Sequence, residues 1–252
     1  MRELTLIGIG TGNPDHLTLA GVRAINAADL ILVPRKGADK ADLADLRRQI
    51  LADVLTDPAT RVVEFDLPRR DAANPDYHAG VADWHEAIAR AWAIAAATAP
   101  GAERVALLVW GDPSLYDSSL RIAARLDPAP RLRVIPGITA IGALCAAHAI
   151  PLNEIGAPFA VTTGRRLREG GFPPCCDTCV VMLDGETSFA ALPPEGLTIW
   201  WGAYLGMAAE MLDHGPLALA GPRIVAARAA ARRRHGWIMD IYLLRRNGPP
   251  LA

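Results

Sequence analysis

Three groups of residues have types and spacings that suggest chemistry: glycines at Gly8, Gly10 and Gly12, a Gly111-Asp112-Pro113 turn, and the thiols Cys175, Cys176 and Cys179. A glycine-rich turn opening a helix can cradle phosphate, and clustered thiols can hold zinc. A carboxylate spilling from the end of a buried strand sits where open parallel sheets keep their ligands. The dinucleotide fingerprint fails, because Asn13 occupies the third glycine position and Val33-Pro34-Arg35 replaces the acidic residue ending the second strand. No Gly-Lys-Ser/Thr follows to make a P-loop, and no Gly-x-Ser-x-Gly elbow presents a serine nucleophile. The thiols lack a second ligand pair, since His214 belongs to a different pattern, so no metal is expected. Two readings stay open for the glycines: a tight strand-to-helix turn, or bare backbone against which a bulky ligand lies flat.

The elements that carry these turns follow from the apolar pattern. Leu4 to Ile7, Leu30 to Val33, Arg61 to Phe65, Arg104 to Val109 and Arg131 to Ile135 read as strands, with helical periodicity between them. The intervening helices are expected at about Leu17 to Ala27, Asp39 to Asp53, up to Ala97, from Ser118 to Leu126, and after Pro136-Gly137 up to His148. This is the β-α alternation of a parallel sheet, and it completes a domain over residues 1–150. The loop from Leu67 to Pro75 carries Arg69 and Arg70. After a proline-containing linker, Ile150 to Pro158, strands are expected at Phe159–Thr163, Thr178–Leu183, Leu197–Trp201, Arg223–Ala227 and Trp237–Leu244. Only short helical pieces such as Gly206 to Leu212 separate them, so residues 151–252 read as a second α/β domain with a mixed sheet.

Composition narrows the function classes. Of 252 residues 51% are hydrophobic and 21% charged, and the formal net charge is -1, which fits a globular enzyme and not a nucleic-acid-wrapping or disordered chain. No apolar run approaches the roughly 20 residues of a membrane span. The amino terminus enters a strand without signal-peptide character, so a cytoplasmic protein with reduced cysteines is expected. Arginines cluster at 69–70, 165–168 and 232–234, either as solvated faces or as clamps for carboxylates.

The run from Gly8 to Leu19, then Ala27-Ala28-Asp29, Gly111-Asp112-Pro113 with Tyr116, and Pro136-Gly137-Ile138-Thr139-Ala140, in that order, resembles the tetrapyrrole methylases that use S-adenosylmethionine. Trp200 to Tyr204 and the run from Arg234 to Arg245 resemble the branch that acts at C-1 of a corrin precursor. The resemblance implies a two-domain fold with the active site in the cleft between the domains, a homodimer, and no nucleic-acid or membrane partner. It implies S-adenosylmethionine as cofactor and precorrin-5 as substrate, methylated at C-1 with loss of the acetyl group there as acetate. Rival readings are methylation at another position of the macrocycle, a non-catalytic tetrapyrrole or nucleotide carrier, and a dehydrogenase.

Cofactor contacts carried over from the family fall on Thr11, Gly111, Asp112, Thr139, Ala140, Met182 and Ala203, with Ala227 near the adenine. The family often has proline where Thr11 stands. Methyl transfer needs orientation and desolvation more than acids and bases, whereas removing the acetyl group needs a base for water. Candidates for it are Asp15, His148 and Asp240, with Tyr116 as a hydrogen-bonding group. Asp15 otherwise caps the first helix, His148 complements a helix carboxyl terminus, and Asp240 faces solvent. The substrate's carboxylates need cations, for which Arg35, Arg69, Arg70, Arg165 and Arg166 in loops are the candidates.

Overall fold

The structure, a computed structural model, describes residues 1–35, 41–70 and 76–247. The chain divides into two compact units, Met1–Thr139 and Ala140–Ala252.

The first unit runs β1 (Glu3–Gly8), α1 (Leu19–Asn26), β2 (Leu30–Arg35), α2 (Ala41–Val54), β3 (Arg61–Asp66), α3 (Tyr77–Ala97), β4 (Arg104–Val109), α4 (Ser119–Ala123) and β5 (Arg131–Ile135). Its sheet is all parallel, in the order β3-β2-β4-β1-β5. The central strands β2, β4 and β1 are covered on both faces, which is why they read as nearly continuous apolar runs, whereas the edge strands β3 and β5 are largely exposed. Leu4, Leu6, Leu32 and Leu107 pack with Ile88 and Trp92 of α3 and Ile122 of α4. Ile7, Ile31 and Leu108 pack with Ile25 of α1 and Ile50 of α2.

Helix α1 starts two residues later than the expected Leu17, because Pro14–His16 first makes a separate 3-10 turn. Its cap is the Thr18 hydroxyl, which accepts from Gly21 N–H at 3.0 Å. The expected start of the second helix at Asp39 and the end of the arginine loop, 71–75, lie outside the described residues.

Asp29 ties the entry of β2 to β4. Its carboxylate accepts from Glu103 N–H at 3.0 Å, Arg104 N–H at 2.8 Å and the Arg104 guanidinium at 2.5 Å. The Arg104 side chain, then its backbone N–H, lower the pKa from 3.8 to about 2. A depressed folded-state pKa contributes stability that is present above the unfolded value and lost as pH falls through the folded one. Asp29→Asn is expected to cost about 1–3 kcal/mol at pH 7 and to flatten the fall in stability on acidification, as urea titrations at stepped pH would show.

The second unit runs α5 (Ala140–His148), β6 (Phe159–Thr163), α6 (Gly164–Gly170), β7 (Thr178–Met182), β8 (Leu197–Ala203), β9 (Met211–Pro216), α7 (Leu217–His235) and β10 (Asp240–Arg246). The sheet order is β6-β7-β10-β8-β9, with β6 parallel to β7 and every other pair antiparallel. Ala143 and Leu144 of α5 pack on one face with Val180, Ile241 and Leu243, so α5 groups with this unit, whereas the β-α alternation of the sequence counts it with residues 1–150. Helix α7 lies against the other face with Leu217, Ala220 and Ile224.

Two expectations are corrected here. Arg223 to Ala227 is the middle of α7, not a strand; the buried positions 217, 220, 221, 224, 228 and 231 follow a helical period. Gly206 to Leu212 is not a helical piece but turns running into β9, whose half-buried Met211, Asp213 and Gly215 alternate with exposed neighbours. Arg232, Arg233 and Arg234 occupy the last turn of α7, where cations complement the helix dipole, and Gly236 closes it with φ 73°.

Candidate active site

In the first unit the site residues lie on three turns that leave β1, β4 and β5, neighbouring strands in the sheet. The turns are joined backbone to backbone. Gly111 N–H donates to the Gly10 carbonyl at 2.7 Å, and Gly10 N–H returns a bond to the Gly111 carbonyl at 3.2 Å. A methyl group built on Gly8 would lie 2.5 Å from Gly137 N, and one on Gly137 would lie 2.2 Å from the Gly111 carbonyl oxygen. On Gly10, at φ 77°, it would meet the His16 side chain at 2.5 Å. The space over Gly8 and Gly10 is thus occupied by protein. Gly111 differs: it is buried, has φ 64°, and a methyl there would meet nothing within 4 Å. Of the two sequence readings of the glycines, the tight turn holds for Gly8 and Gly10, and bare backbone beside open space belongs to Gly111.

Asp112 fastens these turns. It is 8% exposed, and its carboxylate accepts from Ser114 N–H at 2.8 Å, from the Ser114 hydroxyl, and from Gly137 N–H at 2.9 Å. Burial opposes ionisation, but the Ser114 and Gly137 bonds outweigh it and hold the carboxyl below its usual range. Asp-x-Ser is an Asx-turn pattern readable in sequence; Gly137 as the other partner is not. Thr11 is buried, its hydroxyl 3.5 Å from His16 Nδ1. Thr139 closes the turn after β5. Tyr116, on the β4 turn, is 44% exposed and left-handed, with φ 50°. Arg47, which the sequence did not single out, is buried below this edge and donates Nε to the Leu108 carbonyl at 3.0 Å. Burial lowers its pKa to about 10, so it stays cationic at neutral pH.

In the second unit β7 and β8 run the same way on either side of β10, so Met182 and Ala203 end their strands at one edge. Ala140 and Met182 share one face, packed with Leu144 and Ile241. The Ala203 side chain is fully buried on the opposite face, where Ala227 also packs, so Ala203 offers backbone and not side chain at this edge. Each strand is followed by a left-handed residue, Leu183 at φ 54° and Tyr204 at φ 52°, a conformation that costs a non-glycine residue roughly 1–2 kcal/mol.

A buried polar network stands behind this edge. Asp240 accepts from Arg228 Nε at 2.6 Å and from Trp201 Nε1 at 2.7 Å, with both ion-pair side chains 5% exposed. Arg228 also donates to the Asp184 carbonyl, and Tyr242 donates to the Asp184 carboxylate at 2.7 Å. Burial would lower the Arg228 pKa, but the bond to Asp240 raises it. The sequence signal for the pair was a lone charge, Arg228, on the buried stripe of a helix.

The four candidate acid-base residues separate on this geometry. Asp240 neither faces solvent nor stands free, because the ion pair and the indole take its carboxylate. Asp15 is exposed in the 3-10 turn and does not cap α1, which Thr18 does. His148 ends α5 with Nε2 2.9 Å from the Trp201 carbonyl, to which that nitrogen must donate, and its ring meets His214 edge-on at 5.6 Å. Tyr116 is the candidate that sits on a turn of the site. Among the arginines, Arg35 is paired with Asp66 at 3.0 Å. Arg69 and Arg70 are exposed after β3, and Arg165 and Arg166 are exposed in the first turn of α6, not in a loop. Of the thiols, Cys176 and Cys179 are buried packing groups and Cys175 is exposed; burial pushes Cys179 up to about 12.

Residues 3–220 match the family model described as Tetrapyrrole (Corrin/Porphyrin) Methylases. The chain is 47% identical over 251 residues, 98% of its own length and 96% of the relative's, to precorrin-6A synthase [deacetylating] of Sinorhizobium sp. A crystal structure of a putative cobalamin synthesis related protein (CobF) from Corynebacterium diphtheriae superposes with a TM-score of 0.83 at 36% identity, covering 98% of this chain and 100% of that one. Uroporphyrin-III C-methyl transferase from Thermus thermophilus, solved with S-adenyl homocysteine, gives a TM-score of 0.60 with 96% of each chain covered; at 21% identity it shows the fold alone.

Proposed function

The chain belongs to the tetrapyrrole methylases, and on that premise we propose that it methylates C-1 of precorrin-5 from S-adenosylmethionine and removes the acetyl group there as acetate. The observation that carries this reading is the 47% identity, spanning nearly the whole of both chains, to a deacetylating synthase.

The residues present fit the cofactor. Buried backbone at Gly111 borders open space, and the fixed edge at Met182 and Ala203 offers main-chain groups, which suits a ligand bound through backbone contacts. Bound S-adenosylmethionine supplies the methyl group as an electrophile on a sulfonium centre. The chain's share is orientation and exclusion of water, for which Thr11, Gly111, Asp112, Thr139, Ala140, Met182 and Ala203 are the proposed contacts, with Asp112 acting through its turn. Ala227 supports its face of the sheet. In the deacetylation, water adds to the acetyl carbonyl, the bond to C-1 breaks, acetate leaves, and the electron pair left at C-1 takes the methyl group. Tyr116 is proposed to hydrogen-bond the reacting oxygen. Tyr116→Phe is then expected to lower kcat by about 10–100-fold with S-adenosylhomocysteine affinity near that of the parent, measured by single-turnover kinetics and calorimetry.

Arg35, Arg69, Arg70, Arg165 and Arg166 are proposed to meet substrate carboxylates. A homodimer in the cytoplasm completes the proposal, with sedimentation as the check on assembly. Among the described residues no helix is long and apolar enough to cross a membrane. Mass analysis of the product after incubation with precorrin-5 tests the reading: one methyl gained together with one acetyl lost is expected. A product that gains methyl and keeps acetyl assigns the enzyme to another ring position, and binding without release of S-adenosylhomocysteine makes it a carrier.

A further inference from the structure

We propose that Cys175 and Cys176 form a redox-active dithiol, in which the exposed Cys175 exchanges with small-molecule disulfides and Cys176 closes onto it as the resolving thiol. The site stands apart from methyl transfer, because it precedes β7 and Met182 lies at the far end of that strand. Local sequence fixes the segment that carries it. Gly171 ends α6 at φ 70°, Pro173 and Pro174 restrict the backbone entering a turn, and Cys175-Cys176-Asp177 then leads into Thr178. Beyond the pair the chain is tied to β10: Arg246 N–H donates to the Asp177 carbonyl at 2.9 Å, and Arg245 Nε donates to the Thr178 hydroxyl at 3.2 Å. Both ends of the segment are held, so each sulfur keeps the partners that the turn gives it.

Those partners suit thiol exchange. Cys175 is exposed, whereas Cys176 is 7% exposed and Cys179 is fully buried. The Cys176 thiol interacts with that of Cys175 and with the N–H groups of Ala160 and Thr178. Burial, and after it the Cys175 thiol, push Cys176 up, while the two N–H groups act in the other direction and steady its thiolate. A thiol reachable from solvent thus stands beside one that solvent reagents reach only through it. Among the described residues no group of three His, Cys, Asp or Glu is placed to hold a metal ion. In the exchange, the Cys175 thiolate attacks one sulfur of the small disulfide, whose other half leaves as a thiolate and takes up a proton. The Cys176 thiolate then attacks the Cys175 sulfur and displaces the second half, which is protonated in turn. Two protein thiols are oxidised to one disulfide, and one small disulfide is reduced to two thiols. The bond joins adjacent residues, whose Cα atoms are about 3.8 Å apart, closer than in ordinary disulfides, so it is strained and readily reduced again.

The full chain, incubated with glutathione disulfide and quenched with N-ethylmaleimide, is to be read by intact mass and peptide mapping. The expected product has lost two hydrogens, carries no glutathione, holds its new bond between Cys175 and Cys176, and returns to the parent mass with dithiothreitol. Closure should quicken as pH rises, since Cys176 must ionise before it attacks. Cys176→Ala should trap glutathione on Cys175 as a lasting mixed disulfide. Cys175→Ser, at an exposed position that leaves the core intact, should slow oxidation of the remaining thiols by about 10-fold or more, and it decides the matter should Cys176→Ala not fold. A lasting mixed disulfide on Cys175 in the parent chain overturns the proposal, as does closure onto Cys179, an unslowed Cys175→Ser, or no reaction at all. Because these readouts follow sulfur alone, their failure leaves the proposed methylation untouched.

Discussion

Gly137→Ala is expected to abolish measurable S-adenosylhomocysteine binding while leaving a folded but weakened protein. The added methyl would lie 2.2 Å from the Gly111 carbonyl oxygen and 2.7 Å from the Gly8 carbonyl carbon, all of it backbone that no side-chain rotation can clear. The turn after β5 must move off the turns after β1 and β4. That movement carries Gly137 N–H away from Asp112, whose carboxylate is buried and ionised. Overpacking costs about 1–3 kcal/mol, and losing a hydrogen bond to a charged group adds about 1.5–3 kcal/mol. Guanidinium titration should report a loss in that combined range. Binding should suffer more, because the displaced atoms are those that shape Gly111 and lead into Thr139. Gly111→Ala is the contrasting variant: its methyl meets nothing in the fold, so it should cost about 1 kcal/mol of stability at φ 64° yet fill the space left for ligand. If Gly137→Ala binds as the parent does, the coupling of the three turns is not what shapes the site.

What could be read from sequence divides along physical lines. The parallel sheet was legible because its central strands, covered on both faces, must be apolar, as at Leu30 to Val33 and Val105 to Val109. The turns were legible because glycine, proline and aspartate act locally. What the glycines touch was not, since Gly8 meets Gly137 across 129 positions of sequence. In the second unit, Arg223 to Ala227 is a short apolar run that periodicity alone cannot assign; the buried helical stripe appears only when it is extended back to Leu217 and forward to Ala231. Strand β9 was missed because Asp213, His214 and Gly215 carry little strand propensity, and pairing with β8 overrides it. Asp240 alternates with apolar residues and so suggested a solvent-facing position, but its partners Arg228 and Trp201 lie on other elements that only the fold brings to it.

That same pair gives the second large effect. Arg228→Met is expected to destabilise the protein by about 3–5 kcal/mol, because Asp240 would remain buried without its cation. Asp240→Leu should cost a similar amount, stranding the guanidinium and the Trp201 N–H. The double variant should recover much of the loss, since an apolar pair of matching volume needs no charge compensation. It should not recover all of it: the Trp201 N–H and the Asp184 carbonyl each keep one lost partner, worth about 1 kcal/mol apiece. A double-mutant cycle in urea gives the coupling, and near-additive losses would mean the ion pair is not the unit that holds this region. Binding supplies the second half of the test. Asp240 begins β10 between the strand ends at Met182 and Ala203, and Arg228 reaches the Asp184 carbonyl just beyond Leu183, so the network fixes the edge rather than touching ligand. The double variant should therefore regain stability without regaining full S-adenosylhomocysteine affinity, a separation that a purely structural ion pair would not produce.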